Sequence, residues 1–288
     1  MNLQSCSQVL DLSGNRIPTL PPAAFSSVNL LNLQRIFLKN AGVREVHQDA
    51  FRDLRILVEV DLSGNEISSI QPSTFTGNER LRLLTLSRNP LTTLEAYQFP
   101  DLPHLRTLEL QSCQMERVDD NAFVNLRALE SLDLHGNKLS VLSERALVRL
   151  PKLKTLALDG NPWVCDCNLR PFRTWLLASN LYSLPLSCTE PRVLAGRLWE
   201  DVESTDFACQ AQVSMSDKTI QQEVGGNVTF RCRIRGDPEP EVTWYFNGKA
   251  VGNGSAFQPD TVGELSKWDT FKEMLRMHES GQKFLSKF

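Results

Sequence analysis

The chain has 288 residues, of which 41% are hydrophobic and 23% charged, and this balance excludes a disordered or collagen-like protein. The formal net charge of -3 leaves no excess of cations for a phosphate backbone, which argues against a nucleic-acid partner. No run of 18 apolar residues occurs and the first residues lack the pattern of a signal peptide, so we expect any membrane attachment to depend on segments missing from this chain.

Apolar positions recur every 24 residues through the first part of the chain. The unit containing Leu81, Leu84, Leu86, Asn89 and Leu91 fits L-x-x-L-x-L-x-x-N-x-L, the leucine-rich repeat pattern. The pattern returns after each step of 24 residues, and once after 26, which gives about seven units over residues 1–160. Such a period predicts an α/β solenoid, a leucine-rich repeat horseshoe in which each unit buries its apolar edge against its neighbours.

The alternation within each unit predicts a short strand whose leucines point inward. A second apolar row has the same spacing, and we expect it to form a spine under the convex side. Its members are Phe25, Phe51, Phe75, Phe99, Phe123 and Leu147.

The asparagine position of the repeat predicts a ladder of amides in buried turns. Such an amide pairs with backbone groups that would otherwise cost about 1–3 kcal/mol each when buried. Ala41 and Cys113 interrupt the ladder, and we interpret Cys113 as a buried structural thiol because its position points into the core. The ladder residues are Asn15, Asn65, Asn89, Asn137 and Asn161.

The residues that alternate with the inward leucines should lie on the concave face of the sheet. One row holds four acids, Asp11, Asp61, Glu109 and Asp133, which suggests a surface for a basic protein partner. The alternative is that strand residues facing water are simply polar. The predicted binding residues are Arg35, Phe37, Asp61, Glu109 and Asp133.

Four cysteines follow the repeats within residues 161–210. The run from Trp163 to Pro171, with Cys188 and Cys209 further on, resembles the C-terminal cysteine cap of extracellular leucine-rich repeat proteins. That resemblance implies disulfides Cys165–Cys188 and Cys167–Cys209. A short helix, roughly residues 170–179 with Phe172, Trp175 and Leu176 facing inward, should cover the exposed end of the solenoid.

A zinc site is the competing interpretation of these cysteines. Structural zinc sites favour two to four residues between paired cysteines, whereas one residue separates Cys165 from Cys167. Disulfides require an oxidising compartment, so we expect an extracellular or lumenal protein whose start is truncated. Cys6 lies where an N-terminal cap would join the first repeat, and its partner is expected upstream.

The chain changes character after residue 210. Residues 213–251 resemble the first half of an immunoglobulin domain, with Cys232 as its strand B cysteine and Trp244 as its core tryptophan. No cysteine follows Cys232, so we expect a partial immunoglobulin-like β-sandwich that is not stable alone. Residues 252–288 have apolar residues at helical spacing and are predicted to be an atypical helical or disordered tail.

Smaller motifs in this second part suit a secreted surface. Asn227 and Asn253 begin glycosylation sequons. Residues 235–237 spell the integrin tripeptide Arg-Gly-Asp, but Gly-Asp-Pro-x-Pro is expected as the turn before strand C.

The order of repeats, cysteine cap and immunoglobulin domain resembles the kekkon family of cell-surface proteins. The resemblance implies an extracellular protein-recognition module of a single-pass membrane protein that acts in adhesion or modulates growth-factor receptor signalling. Its partner would be a protein ligand or receptor ectodomain on the concave face. The same order occurs in neurotrophin-receptor-like proteins and synaptic organisers, and an intracellular leucine-rich repeat scaffold is a further alternative.

An enzyme is not expected. The sequence contains none of the common hydrolase, metalloprotease or phosphate-binding motifs, so no catalytic residue, cofactor, metal or small-molecule substrate is predicted. Its histidines, His47, His104, His135 and His278, have no carboxylate or cysteine partner at useful spacing.

Overall fold

The structure is a computed structural model that describes residues 8–182, 184–215, 228–240, 245–246, 249–250 and 261–265. The chain divides into two compact units, Met1–Phe207 and Ala208–Phe288. The first unit contains the repeats and most of the cap. The second contains the immunoglobulin-like segment.

Seven short parallel strands form one continuous sheet in the first unit, in the order β1-β3-β5-β6-β8-β10-β11. Each repeat contributes one strand, and consecutive strands pair without a shift in register, as in Leu84 beside Leu108. The strands are β1 (Val9–Asp11), β3 (Arg35–Phe37), β5 (Glu59–Asp61), β6 (Leu83–Thr85), β8 (Thr107–Glu109), β10 (Ser131–Asp133) and β11 (Thr155–Ala157).

The central residue of each strand from β3 to β11 points into the core, as the alternating pattern predicts. Ile36, Val60, Leu84 and Leu108 are fully buried there. The seven-strand sheet and its parallel register therefore establish the leucine-rich repeat horseshoe as the fold of this unit.

A second set of two-residue strands follows four of the ladder positions, those of Asn15, Ala41, Asn89 and Cys113. They are β2 (Thr19–Leu20), β4 (Glu45–Val46), β7 (Thr93–Leu94) and β9 (Arg117–Val118). β2 pairs with β4 and β7 pairs with β9, whereas residues 67–70 between them form no strand.

The phenylalanine spine is divided at the same place. Phe51 stacks on Phe25 and Phe75 at centroid distances of 5.7 and 5.2 Å, and Phe99 stacks on Phe123 at 6.3 Å. Within the described repeats, Phe75 and Phe99 do not form such a pair. Beside this gap, Gln98 is inserted between two backbone groups: its Oε1 accepts from Glu95 N at 3.1 Å and its Nε2 donates to Ile70 O at 2.7 Å.

The asparagine ladder ties each turn to the preceding repeat. The Oδ1 of Asn137 accepts from the backbone N–H groups of Cys113 and Met115 at 2.9 and 3.0 Å. Its Nδ2 donates to Leu110 O and Leu134 O, both at 2.9 Å. Asn65, Asn89 and Asn161 make the same kinds of bond and are buried.

The first and the interrupted ladder positions behave differently. Asn15 is exposed rather than buried, and its Nδ2 donates to Leu12 O within its own turn. Cys113 is fully buried, and its thiol donates to Leu86 O with a sulfur–oxygen distance of 3.3 Å. The thiol therefore replaces one of the two carbonyl contacts that an asparagine would make, and burial raises the pKa of Cys113 to about 11.

The cap covers the last repeat with α1 (Arg170–Ala178) and a disulfide. Cys165 and Cys188, a pair that the cap resemblance implies, are joined with their Cα atoms 5.6 Å apart. Cys167 and Cys209 are also disulfide-bonded, and their pairing with each other stays a prediction.

Among the described residues, no helix is both long and apolar enough to cross a bilayer.

The inward face of α1 differs from the prediction in one residue. Phe172 and Leu176 are buried, and Trp175, although half-buried, packs against the core, all as expected. Arg173 is also buried on this face. The Arg173 guanidinium donates to Trp199 O and Val202 O, and it lies 5.0 Å from the ring centroid of Phe207. A charged residue can occupy this apolar face because carbonyl oxygens and an aromatic ring surround its head group.

The second unit contains an antiparallel sheet in the order β12-β13-β16 and a separate two-stranded pair, β14-β15. The strands are β12 (Cys209–Met215), β13 (Val228–Asp237), β14 (Tyr245–Phe246), β15 (Lys249–Ala250) and β16 (Thr261–Leu265). Antiparallel strands are what an immunoglobulin-like sandwich requires.

Two expectations for this unit need correction. Thr261–Leu265 is a strand that pairs with β13, although residues 252–288 are predicted to be a helical or disordered tail. The Arg-Gly-Asp tripeptide lies in paired strand β13, with Arg235 beside Gln212, rather than in a turn. Cys6, Trp244, the sequons at Asn227 and Asn253, and the predicted tail helix after Leu265 lie outside the described residues.

Candidate functional site: the concave sheet

The residues on either side of each buried strand centre form two rows on the concave face. Because the strands are in register, Asp61, Thr85, Glu109 and Asp133 lie side by side on adjacent strands. Asp11 and Phe37 continue the same row toward the first repeat. The structure therefore brings together, on one surface, all five residues predicted to bind a partner.

Of the acids in this row, Asp61 and Asp133 are held by their own repeats, and Glu109 is held by the preceding repeat. Asp61 Oδ1 accepts from Ser63 N at 2.8 Å, and Asp133 Oδ1 accepts from His135 N at 2.9 Å. Glu109 Oε2 accepts from the Thr85 hydroxyl at 3.1 Å. Each of these carboxylates uses one oxygen in these bonds, and the other has no partner within the described part of the chain.

The same geometry gives these acids a structural role. An aspartate that accepts from the N–H two residues later closes the turn after its strand. Asp11 does so with Ser13, at an N to Oδ1 distance of 2.9 Å, and these hydrogen bonds lower the pKa of Asp11. Asp11, Asp61 and Asp133 therefore order their turns, and together with Glu109 they carry negative charge on the concave face.

The two other predicted residues flank this row. Arg35 is exposed and forms an ion pair with Glu59, with Nε 3.3 Å from Oε2. An exposed pair of this kind contributes at most about 1 kcal/mol, so the Arg35 side chain can exchange partners. Phe37 is half-buried between Asp11 and Asp61, which provides an apolar contact within the acidic row.

The prediction that the histidines have no carboxylate partner is wrong for His47, whose Nδ1 lies 3.7 Å from Asp49 Oδ2, and for His135. The closer contact is that of His135. Its Nδ1 lies 2.6 Å from Asp159 Oδ2, at the end of the sheet near the cap. The two residues are 24 apart in sequence, one repeat, so a search for short-range spacing could not find them. The pair connects the strand ends of two adjacent repeats.

Sequence reasoning missed a further row, directly before each strand. Arg82, Arg106, Glu130 and Lys154 occupy this position ahead of β6, β8, β10 and β11. The 24-residue spacing was the signal that could have revealed it. Positive charge therefore borders the sheet where the strands begin, and negative charge follows the strand centres.

Comparison with known families supports both units. A model described as "Leucine rich repeat" matches residues 8–67, 31–91, 57–115 and 103–162, which together cover more than half of the chain. A model described as "Immunoglobulin domain" matches residues 211–272. The immunoglobulin match extends beyond residue 251, the predicted end of that domain.

Similar proteins share parts of this chain. Human leucine-rich repeat, immunoglobulin-like domain and transmembrane domain-containing protein 2 is 34% identical over 90 residues, which are 30% of this chain and 16% of that protein. Human "Probable oxidoreductase PXDNL" is 33% identical over 96 residues, 31% of this chain but only 6% of that protein. The chain thus spans a small part of the length of these relatives.

A solved structure matches more of the chain. The crystal structure of human 5T4 (Wnt-activated inhibitory factor 1, trophoblast glycoprotein) has a TM-score of 0.51 and 28% identity, and the match covers 69% of this chain and 87% of that one. Together with the repeat matches over residues 8–162, the parallel sheet and the asparagine ladder, this shows that the chain belongs to the leucine-rich repeat family and carries an immunoglobulin domain after its repeats.

Proposed function

We propose that the chain is an extracellular protein-recognition module that binds a protein partner through its concave sheet. The row of Asp61, Glu109 and Asp133 carries this proposal. These acids lie in register on the sheet, each is fixed by one hydrogen bond, and each keeps a free oxygen toward the surface. Carboxylates arranged in this way attract a partner with matching basic residues.

The cap and the similar proteins support the proposed location. The Cys165–Cys188 disulfide favours an oxidising compartment, and transmembrane domain-containing protein 2 has the same kinds of domain. We therefore propose that the parent protein is a single-pass cell-surface protein of the kekkon type that modulates receptor signalling or adhesion. The disulfide argues against the alternative of an intracellular scaffold. Non-reducing mass spectrometry of the cap tests this location, and free thiols at these cysteines would contradict it.

A charge-reversal experiment tests the binding surface. The full chain, displayed as a biotinylated tetramer, is screened against receptor ectodomains, including growth-factor receptors, and affinities are measured by surface plasmon resonance. Changing Asp61, Glu109 and Asp133 together to Lys should lower the affinity for any captured partner more than about tenfold, because complementary charges become repulsive.

The matched control reverses three exposed acids away from the concave sheet. Glu45→Lys, Glu116→Lys and Asp206→Lys change the net charge by the same amount and should leave binding within about twofold of the original chain. An unchanged affinity in the concave variant would place the binding site on another surface. Equal losses in both variants would show only a net-charge effect.

A further inference from the structure

The edge of the sheet where the strands begin carries cations at repeated positions. Arg82, Arg106 and Lys154 come directly before β6, β8 and β11, and all three are exposed. Two residues earlier in the same repeats stand Arg80, His104 and Lys152. Since neighbouring strands lie about 4.8 Å apart, these side chains form a line, which Glu130 and Ala128 interrupt ahead of β10.

Half of these six side chains lack a hydrogen-bond or ion-pair partner in the part of the chain that the structure describes, and so does Arg127, an exposed residue three positions before Glu130. The side chains of Arg80, Arg82, Arg127 and Lys152 make neither a hydrogen bond nor an ion pair there. The acid within the row, Glu130, lies 2.7 Å from Lys154 Nζ and 3.7 Å from Arg106 Nε. Both neighbours therefore already neutralise it, and the bond from Lys154 lowers the pKa of Glu130.

The charge balance of this edge differs from that of the chain. Residues 79–82, 101–106, 127–130 and 151–154 contain six Lys or Arg residues and three acids, Glu79, Asp101 and Glu130. This edge is thus positive although the whole chain has a formal net charge of -3. Placing like charges on adjacent strands is unfavourable by itself, so an external anion would relieve a real repulsion.

We propose that this basic edge, formed by Arg80, Arg82, Arg106, Arg127, Lys152 and Lys154, binds a linear sulfated polysaccharide of the cell surface. The cations are exposed and arranged along a line, which suits a flexible polyanion with repeated charges better than a compact ligand in a pocket. No Asn-x-Ser/Thr sequon occurs in residues 1–226, so N-glycans on this unit would not cover the edge. The choice of a polysaccharide rests on the proposed extracellular location, whereas the anion-binding surface itself does not.

Heparin is the probe that tests this site. The full chain carrying Arg82→Ser, Arg106→Ser and Lys154→Ser is compared with the original chain by biolayer interferometry on immobilised heparin in 150 mM NaCl, at about physiological ionic strength. We expect the affinity to fall at least about tenfold, and to weaken in the original chain as salt is raised, because exposed charges are screened. Circular dichroism should show unchanged melting, since exposed ion pairs contribute little to stability.

The control variant removes three exposed cations elsewhere, Arg16→Ser, Arg88→Ser and Arg192→Ser, and should keep the affinity within about twofold. Equal losses in the two variants would overturn the proposal, and so would absence of heparin binding by the original chain. Equal retention on heparin and on a sulfopropyl resin would also overturn it, because the spacing of the edge would then not matter.

The outcome is separable from that of the concave-surface experiment. The variant with Asp61, Glu109 and Asp133 changed to Lys should still bind heparin, even where it loses a protein partner. Loss of partner binding with heparin binding retained supports both proposals. Heparin binding without any protein partner supports the basic edge alone.

Discussion

Replacing Asn137 by alanine should destabilise the repeats strongly. The amide is only 4% exposed and makes five hydrogen bonds to the backbone, two as acceptor and three as donor. One of the accepting carbonyls, His135 O, also accepts from Ser112 N and keeps that partner. Alanine leaves two N–H groups and the other two carbonyls without these partners. Each buried polar group left unpaired lowers the free energy of unfolding by about 1–3 kcal/mol. Water entering the small cavity would satisfy some of them, so we expect a net loss of about 3 kcal/mol.

Two further variants calibrate this value. Asn15 has the same position in its repeat, but it is exposed and its amide makes one local hydrogen bond. Asn15→Ala should therefore change the free energy of unfolding by no more than about 0.5 kcal/mol. Asn137→Cys should cost less than Asn137→Ala, because the natural cysteine in this position, Cys113, donates to a carbonyl of the preceding repeat.

Thermal melting by circular dichroism, with the disulfides intact, measures the effect. A loss of about 3 kcal/mol should lower the midpoint by about 6–12 °C in a unit of this size. Hydrogen–deuterium exchange of residues 110–116 then tests the location, since the Cys113 and Met115 amides should lose protection in Asn137→Ala alone. If Asn15→Ala and Asn137→Ala melted at the same temperature, burial of the ladder amides would not be what stabilises the repeats.

Two other predictions concern the core and the gap in the convex side. Because burial raises the pKa of Cys113 from its usual 9.0 to about 11, the folded chain holds this proton to higher pH than the unfolded chain, and stability present below pH 9 should be lost between pH 9 and 11. Urea unfolding across that range should show a free energy of unfolding that falls by about 2 kcal/mol more for the original chain than for Cys113→Ala. Parallel curves for the two proteins would contradict the raised pKa of Cys113. Gln98→Leu should lower the free energy of unfolding by about 2 kcal/mol, because Ile70 O and Glu95 N lose the side chain that bonds to both. Gln48→Leu, at an exposed position, should be nearly neutral. Thermal melting and hydrogen exchange of the Glu95 amide measure the difference. Equal stability of the two glutamine variants would argue that Gln98 does not bridge the repeats.

The sequence alone determined the architecture because a solenoid repeats one local solution. Each strand contacts the equivalent strand of the next repeat, so the 24-residue spacing of Leu84 and Leu108 predicts their register directly. The ladder asparagines, the phenylalanine spine and the concave row of Asp61, Glu109 and Asp133 were predictable for the same reason.

The tertiary structure decided features in which one repeat differs from the next. Asn15 is exposed, although it has the same motif as the buried Asn137. Arg173 is buried because the carbonyls of Trp199 and Val202, distant in sequence, accept its hydrogen bonds.

Two other features could not be predicted from the sequence. They are the gap in the stack between Phe75 and Phe99 and the contact of His135 with Asp159. A periodic pattern gives the average repeat, but these features depend on which atoms meet across a particular junction. The orientation of the acids on the concave sheet is of this kind. Their row follows from the period, but the turn binds one oxygen of Asp61 and of Asp133, and the Thr85 hydroxyl binds one oxygen of Glu109.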